Sequence, residues 1–228
     1  MKELIEVYDK MLNVIYEKSE NFREDPISVF NYAKGLNYDN LILFVGRSVN
    51  GWKNYKKNEL ILNKNKILNH IHSEDLQWTI DCWGNKEKDE YNTKKSAFWR
   101  MNKKISDKFY GEFDDNFNKI SWTNLYKVSK ADKGNPSEKL CNIQFDFVNQ
   151  ILKEEVKYLK PKYIFFHTGL NWINPFLKND LNINTEFLKG KKYAEARGSY
   201  YGSKFIVGKH PQGKPELEQL NEILNELN

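Results

Sequence analysis

The chain predicts an α/β fold of three layers, with helices on both faces of a mostly parallel central sheet. Three observations predict it. Short apolar runs at residues 41–45 and 163–166 alternate with stretches of helical periodicity. A strong helical pattern over 143–159 separates two such runs, and alternation of this kind implies parallel strands joined by crossover helices. Two apolar runs break into polar, Gly-containing loops, Gly46-Arg47-Ser48-Val49-Asn50-Gly51-Trp52 and Gly208-Lys209-His210-Pro211-Gln212-Gly213. A buried strand that ends in such a loop delivers side chains to the carboxyl edge of a sheet, where open α/β folds bind ligands. The two loops are expected to face each other across one cleft.

The elements follow in order. Leu4, Ile5, Tyr8, Leu12, Ile15 and Tyr16 stand at helical spacing, so residues 1–20 predict an amphipathic helix. Asp25-Pro26 is expected to open a second helix, which Gly35 ends. Residues 41–45 predict the first strand. A helix is expected near 58–70, and irregular structure around Asp81-Cys82-Trp83-Gly84. Residues 96–109 predict a helix with Ser96 as N-cap. Residues 120–126 predict a strand, followed by a loop through Pro136. Pro161 stops the helix over 143–159, and 163–167 is the third strand. A short helix near 171–178 comes next. Strands are expected at 186–192 and 200–207, around Arg197-Gly198. The last helix, 214–227, carries Pro215 in its first turn. With no internal repeat and no long linker, residues 1–228 predict one domain, with 1–39 a helical extension packed on it.

Composition narrows the function. A mean hydropathy of −0.77 with 14% aromatics describes a globular chain with a highly charged surface. No apolar run approaches the roughly 20 residues that span a bilayer, and the start lacks a signal-peptide core, so a cytoplasmic location is expected. There, Cys82 and Cys141 are expected to be free thiols. Basic residues outnumber acidic ones 36 to 31, and they cluster with aromatics. Lys94, Lys95, Arg100, Lys103, Lys104 and Lys108 stand with Tyr91, Phe98 and Trp99, and Lys86 and Lys88 lie just upstream. Lys189, Lys191, Lys192, Arg197, Lys204, Lys209 and Lys214 stand with Tyr193, Tyr200 and Tyr201. Such mixtures suit phosphate contacts and base stacking, although a lysine-rich solvated surface has the same composition.

Several familiar motifs fail in detail. Gly46-x4-Gly51 invites a P-loop, but Trp52 and Lys53 stand where that motif needs Lys and then Ser or Thr. No Gly-x-Gly-x-x-Gly follows a strand. His70 and His72 would point to different sides of a helix and lack a third ligand, so no metal and no cofactor is expected. His167, at a strand end, reads as a core residue.

Four segments, in order, resemble the uracil-DNA glycosylase superfamily, most closely its mismatch-specific uracil/thymine branch. They are the strand at 41–45 with Gly46-Arg47-Ser48-Val49-Asn50-Gly51, Ala97-Phe98-Trp99-Arg100, Thr123-Asn124-Leu125-Tyr126-Lys127, and Gly208-Lys209-His210-Pro211-Gln212-Gly213. The first loop departs from the branch: Asn50 is displaced, no Pro follows, and Arg47 and Trp52 are foreign to the pattern.

The resemblance implies a monomeric DNA glycosylase that flips a base out of the stack and hydrolyses its N-glycosidic bond. His210 would donate to the departing base, with Asn50 or Ser48 positioning water. Asn124 would read the base edge. Trp52 or Phe98 would stack on the base, beside Gly46 and Arg47. Lys127, Lys209, Gln212, Gly213 and Lys214 would meet DNA. Local loop hydrogen bonds, strand-end capping and plain core packing are the alternative roles for these residues. The divergent first loop also admits a defence enzyme acting on hypermodified phage bases, or a non-catalytic nucleic-acid-binding module.

Overall fold

The computed structural model describes residues 2–51, 53–69, 75–85, 91–132, 134–180 and 183–227. Trp52, His70, His72, Lys86 and Lys88 lie outside the described residues. The chain is an α/β protein that divides into two compact units. The first holds residues 1–32, 47–74 and 123–158; the second holds 33–46, 75–122 and 159–228. Residues 1–32 share their unit with two later segments of the chain.

In the first unit, α1 spans Lys2–Glu17 as predicted. Leu4, Val7, Tyr8, Met11, Leu12 and Ile15 form its buried stripe. The helix expected after Pro26 is instead β1 (Ile27–Val29), and β2 (Ala33–Lys34) follows in the second unit. Ile27 and Val29 are β-branched, and all three residues of β1 are buried. Cross-strand pairing thus outweighs the helix-start signal of Asp25-Pro26. Next comes β3 (Ile42–Ser48), whose last two residues belong to this first unit. β4 (Lys53–Tyr55) pairs antiparallel with β1. The predicted helix near 58–70 is α2, Leu60–Asn69, which packs on α1.

Elements of the second unit intervene in the chain. They are the short α3 (Gln77–Asp81), at the site of expected irregularity, and α4 (Ala97–Tyr110). Ser96 occupies the N-cap position in extended geometry, but its side chain makes no capping bond. β5 spans Ser121–Tyr126, every residue buried, as predicted. The loop expected next contains β6 (Val128–Lys130), antiparallel to β1 on the side opposite β4. Helix α5 runs Glu138–Leu159, starting earlier than its apolar periodicity suggests. The Leu140 N–H donates to Ser137 Oγ at 3.2 Å, and the Ser137 hydroxyl lies 3.1 Å from the Glu24 carboxylate. Gln144 then reaches from α5 to β6, accepting from the backbone N–H of Lys127 and Val128 and donating to the Val128 carbonyl.

The second unit is built on a sheet ordered β2-β5-β3-β7-β10-β9-β8 among the described residues. Its remaining elements are β7 (Tyr163–Phe166), α6 (Leu170–Asn179), β8 (Ile183–Phe187), β9 (Ala194–Tyr200), β10 (Ser203–Gly208) and α7 (Glu216–Asn225). The centre, β3-β7-β10, is parallel. The flanks are antiparallel: β2 against β5, and β8-β9-β10 as a meander. The sheet is therefore mixed rather than mostly parallel. Arg197-Gly198, expected between strands, lies in the middle of β9. A Cβ on Gly198 would come within 1.8 Å of the Asn184 carbonyl oxygen on β8, so glycine serves close strand approach there. Pro215 stands at the N-cap of α7 rather than within its first turn. No described helix is long and apolar enough to cross a membrane.

Candidate active site

The second unit places His210 on a loop held by its neighbours. β10 ends at Gly208, whose carbonyl accepts from Gly169 N–H at 2.9 Å. Lys209 N–H donates to the Tyr193 carbonyl at 2.9 Å, and Gln219 Nε2 on α7 donates to the Lys209 carbonyl at 2.5 Å. The Tyr193 segment is anchored in turn. Glu222 accepts the backbone N–H groups of Lys192, Tyr193 and Ala194. Burial would raise the Glu222 carboxyl, but those three donors prevail and hold it below its ordinary range. Lys209 is half-buried, Gln212 and Gly213 are exposed, and Gly213 has a φ of 71°.

His210 itself is half-buried. Gln212 N–H donates to His210 Nδ1 at 3.3 Å. A backbone N–H can only donate, so Nδ1 acts as the acceptor of a neutral imidazole and Nε2 carries the proton. The loop thus presents His210 as an Nε2–H donor. This is the protonation pattern needed to stabilise negative charge developing on a ligand atom.

Rings surround the strand end in this unit. His167 follows β7 and is 1% exposed. It stacks on Phe44 at 5.7 Å and 15°, and meets Phe98 edge-on at 5.8 Å and 89°. Burial pushes its pKa down to about 3, so it is neutral at ordinary pH. Phe98 is half-buried and also touches Trp99 and Trp122. A half-exposed aromatic face such as that of Phe98 is suited to stacking on a planar heterocycle. Gly46, expected in a loop, is buried within β3.

The first unit places the remaining predicted residues. Arg47 and Ser48 are still in β3, not in a loop, and Ser48 Oγ lies 3.4 Å from Asn135 Oδ1. Asn50 is exposed beyond the strand. Asn124 is 3% exposed on β5, with its Nδ2 buried and unbonded. Lys127 corrects the sequence reading. It was expected to meet DNA, yet its side chain is fully buried, with Nζ bonded to Glu155 and Thr123. Between Asn124 and Lys127 the chain leaves β5 for β6, and Lys127 turns into the interior rather than outward.

An open depression of about 630 Å³ in the first unit is lined by Arg23, Asp25, Asn54, Lys130 and Asp132, and contains none of the predicted site residues. Among the described residues no cluster of His, Cys, Asp and Glu is arranged to hold a metal ion. Cys82 and Cys141 are free thiols, as expected.

Sequence reasoning missed Gln219 and Glu222, which fix the His210 loop from α7. Both sit in an ordinary amphipathic helix, where nothing local separates a bracing residue from a surface one. It read His167 as a core residue, and the side chain is 1% exposed. Compared with known proteins, the chain matches no family model and no curated protein.

Proposed function

We propose that the protein is a monofunctional DNA glycosylase of the uracil-DNA glycosylase type. It would hydrolyse the bond between deoxyribose and uracil, or another altered base, and leave an abasic site. The observation that carries this reading is His210: a loop histidine whose Nδ1 accepts from Gln212 N–H, which places the ring proton on Nε2. In the reaction, water adds to the sugar C1′ as the C1′–N bond breaks, the bonding pair departs with the base, and the proton that the water loses ends on the released base. His210 Nε2–H stabilises that charge on a base carbonyl oxygen. Phe98 supplies a stacking face. Asn124 keeps the base-reading role that the resemblance implies, and its buried, unbonded Nδ2 supports it. Lys209, Gln212, Gly213 and Lys214 belong to the DNA-facing loop. The protein acts as a cytoplasmic monomer, without metal or cofactor, on a uracil-DNA glycosylase-like fold.

The test is base release from oligonucleotides carrying uracil, mismatched thymine, hypoxanthine, or hydroxymethylated or glucosylated cytosine, read by alkaline cleavage at abasic sites. Wild type is expected to release at least one base, and His210→Ala to lose about 100-fold or more, the scale of removing one charge-stabilising donor. Tight, salt-sensitive DNA binding with no release from any substrate would overturn the reading in favour of a binding module.

A further inference from the structure

Two side chains deep in the second unit have polar atoms that nothing satisfies. Asn102, on α4, is 0% exposed, and both Nδ2 and Oδ1 lack a hydrogen-bond partner. His167 is 1% exposed, and both ring nitrogens lack one. Buried polar groups are nearly always paired, because an orphan forfeits its bonds to water at about 1–3 kcal/mol.

The two belong to one surface. Phe98, Asn102, Ile105 and Phe109 form a single stripe of α4, at steps of four, three and four residues. Tyr163, Phe165 and His167 share one face of the β7 stretch. Phe109 meets Tyr163 at 5.2 Å and Phe165 at 6.2 Å, while Phe98 meets His167 at 5.8 Å. The helix stripe therefore runs antiparallel along this face. Asn102, one turn in from Phe98, lies on the same side of α4. Phe98, Phe109 and Tyr163 are the half-buried members of this group.

We propose that Asn102 and His167 form an inner polar pair that hydrogen-bonds the edge of the excised base and helps set which base is accepted. The proposal rests on the glycosylase reading above and extends its base recognition beyond His210. The chemistry fits a nucleobase edge with adjacent donor and acceptor. A carboxamide offers both side by side, as Asn does when it reads adenine, and a neutral imidazole offers one of each.

The test uses the full chain, His167→Phe and Asn102→Leu, substitutions that keep volume and delete the orphans. Free uracil, thymine, cytosine, adenine and hypoxanthine are the probes. In wild type, the His167 ring-nitrogen and Asn102 side-chain amide resonances are expected to move when the released base is added. Each variant is expected to bind that base about tenfold or more weakly, the scale of one bidentate base contact, with an unchanged or higher Tm. Resonances that stay still, or variants that bind like wild type and melt lower, overturn the proposal and assign both groups to internal water. Wild-type base release lost in His210→Ala but unaltered in His167→Phe would sink this inference alone. No release and no base binding by wild type would sink both readings.

Discussion

Lys127 Nζ lies 2.8 Å from Glu155 Oε2, with both side chains wholly out of water. Thr123 closes the triangle: its Oγ1 accepts from Lys127 and donates to Glu155 at 2.9 Å. Tyr8 adds a hydroxyl donor to the other carboxylate oxygen at 3.4 Å. Burial pushes the Lys127 pKa down and the Glu155 pKa up, against their mutual attraction. The network ties α1, β5 and α5 together inside the first unit.

Removing one partner strands the other. Lys127→Met is expected to cost about 3–5 kcal/mol, because a buried carboxylate is left without its cation. The double variant Lys127→Met with Glu155→Leu is expected to recover most of that loss. Urea unfolding of the four members of this cycle measures the coupling. A single-variant loss below about 1 kcal/mol would show that the pair is not ionised as drawn.

His167 predicts an acid limb in stability. Its folded pKa, about 3, lies below the ordinary 6.5, so the unfolded chain binds the extra proton between those values. Stability is therefore full above pH 6.5 and falls as pH drops toward 3, by up to about 1.4 kcal/mol per unit. Replacing His167 with Phe should flatten this limb in melting curves taken across that range. An unchanged slope would assign the acid sensitivity to other groups.

Gly198→Ala is expected to destabilise the meander by more than about 2 kcal/mol. The new Cβ would sit 1.8 Å from the backbone oxygen of Asn184 and 2.8 Å from the Phe205 ring. Neither can yield without moving a strand. Hydrogen exchange should show the loss concentrated in β8 and β9, and a uniform or absent effect would contradict the assigned register.

Gln219 is a positioning residue on the proposed reading, acting through the Lys209 carbonyl. Gln219→Leu is expected to lower kcat for base release about tenfold or more, the cost of a small misplacement, with KM little changed. Equal losses in kcat and in the folded fraction would reduce its role to stability.

The parts legible in the sequence are those with a local cause. The apolar runs at β3 and β7 and the amphipathic stripes of α1, α4, α5 and α7 depend on periods read within one segment. Even so, the strand at β1 was hidden, because its identity comes from pairing with β4 and β6 far along the chain.

The sequence by itself determined an α/β chain, its central strands and a His-Pro loop following an apolar strand. The tertiary structure decided what each polar residue does. Lys127 and Arg197 are equally basic on paper. One is sealed against Glu155, and the other lies at the surface bonded to Glu186 and Glu226. It also decided that β8, β9 and β10 form an antiparallel meander, and that Gln212 fixes the proton on His210. The reason is physical: periodicity reports which side of a segment is apolar, whereas a side chain's charge state and role depend on neighbours brought together only by folding.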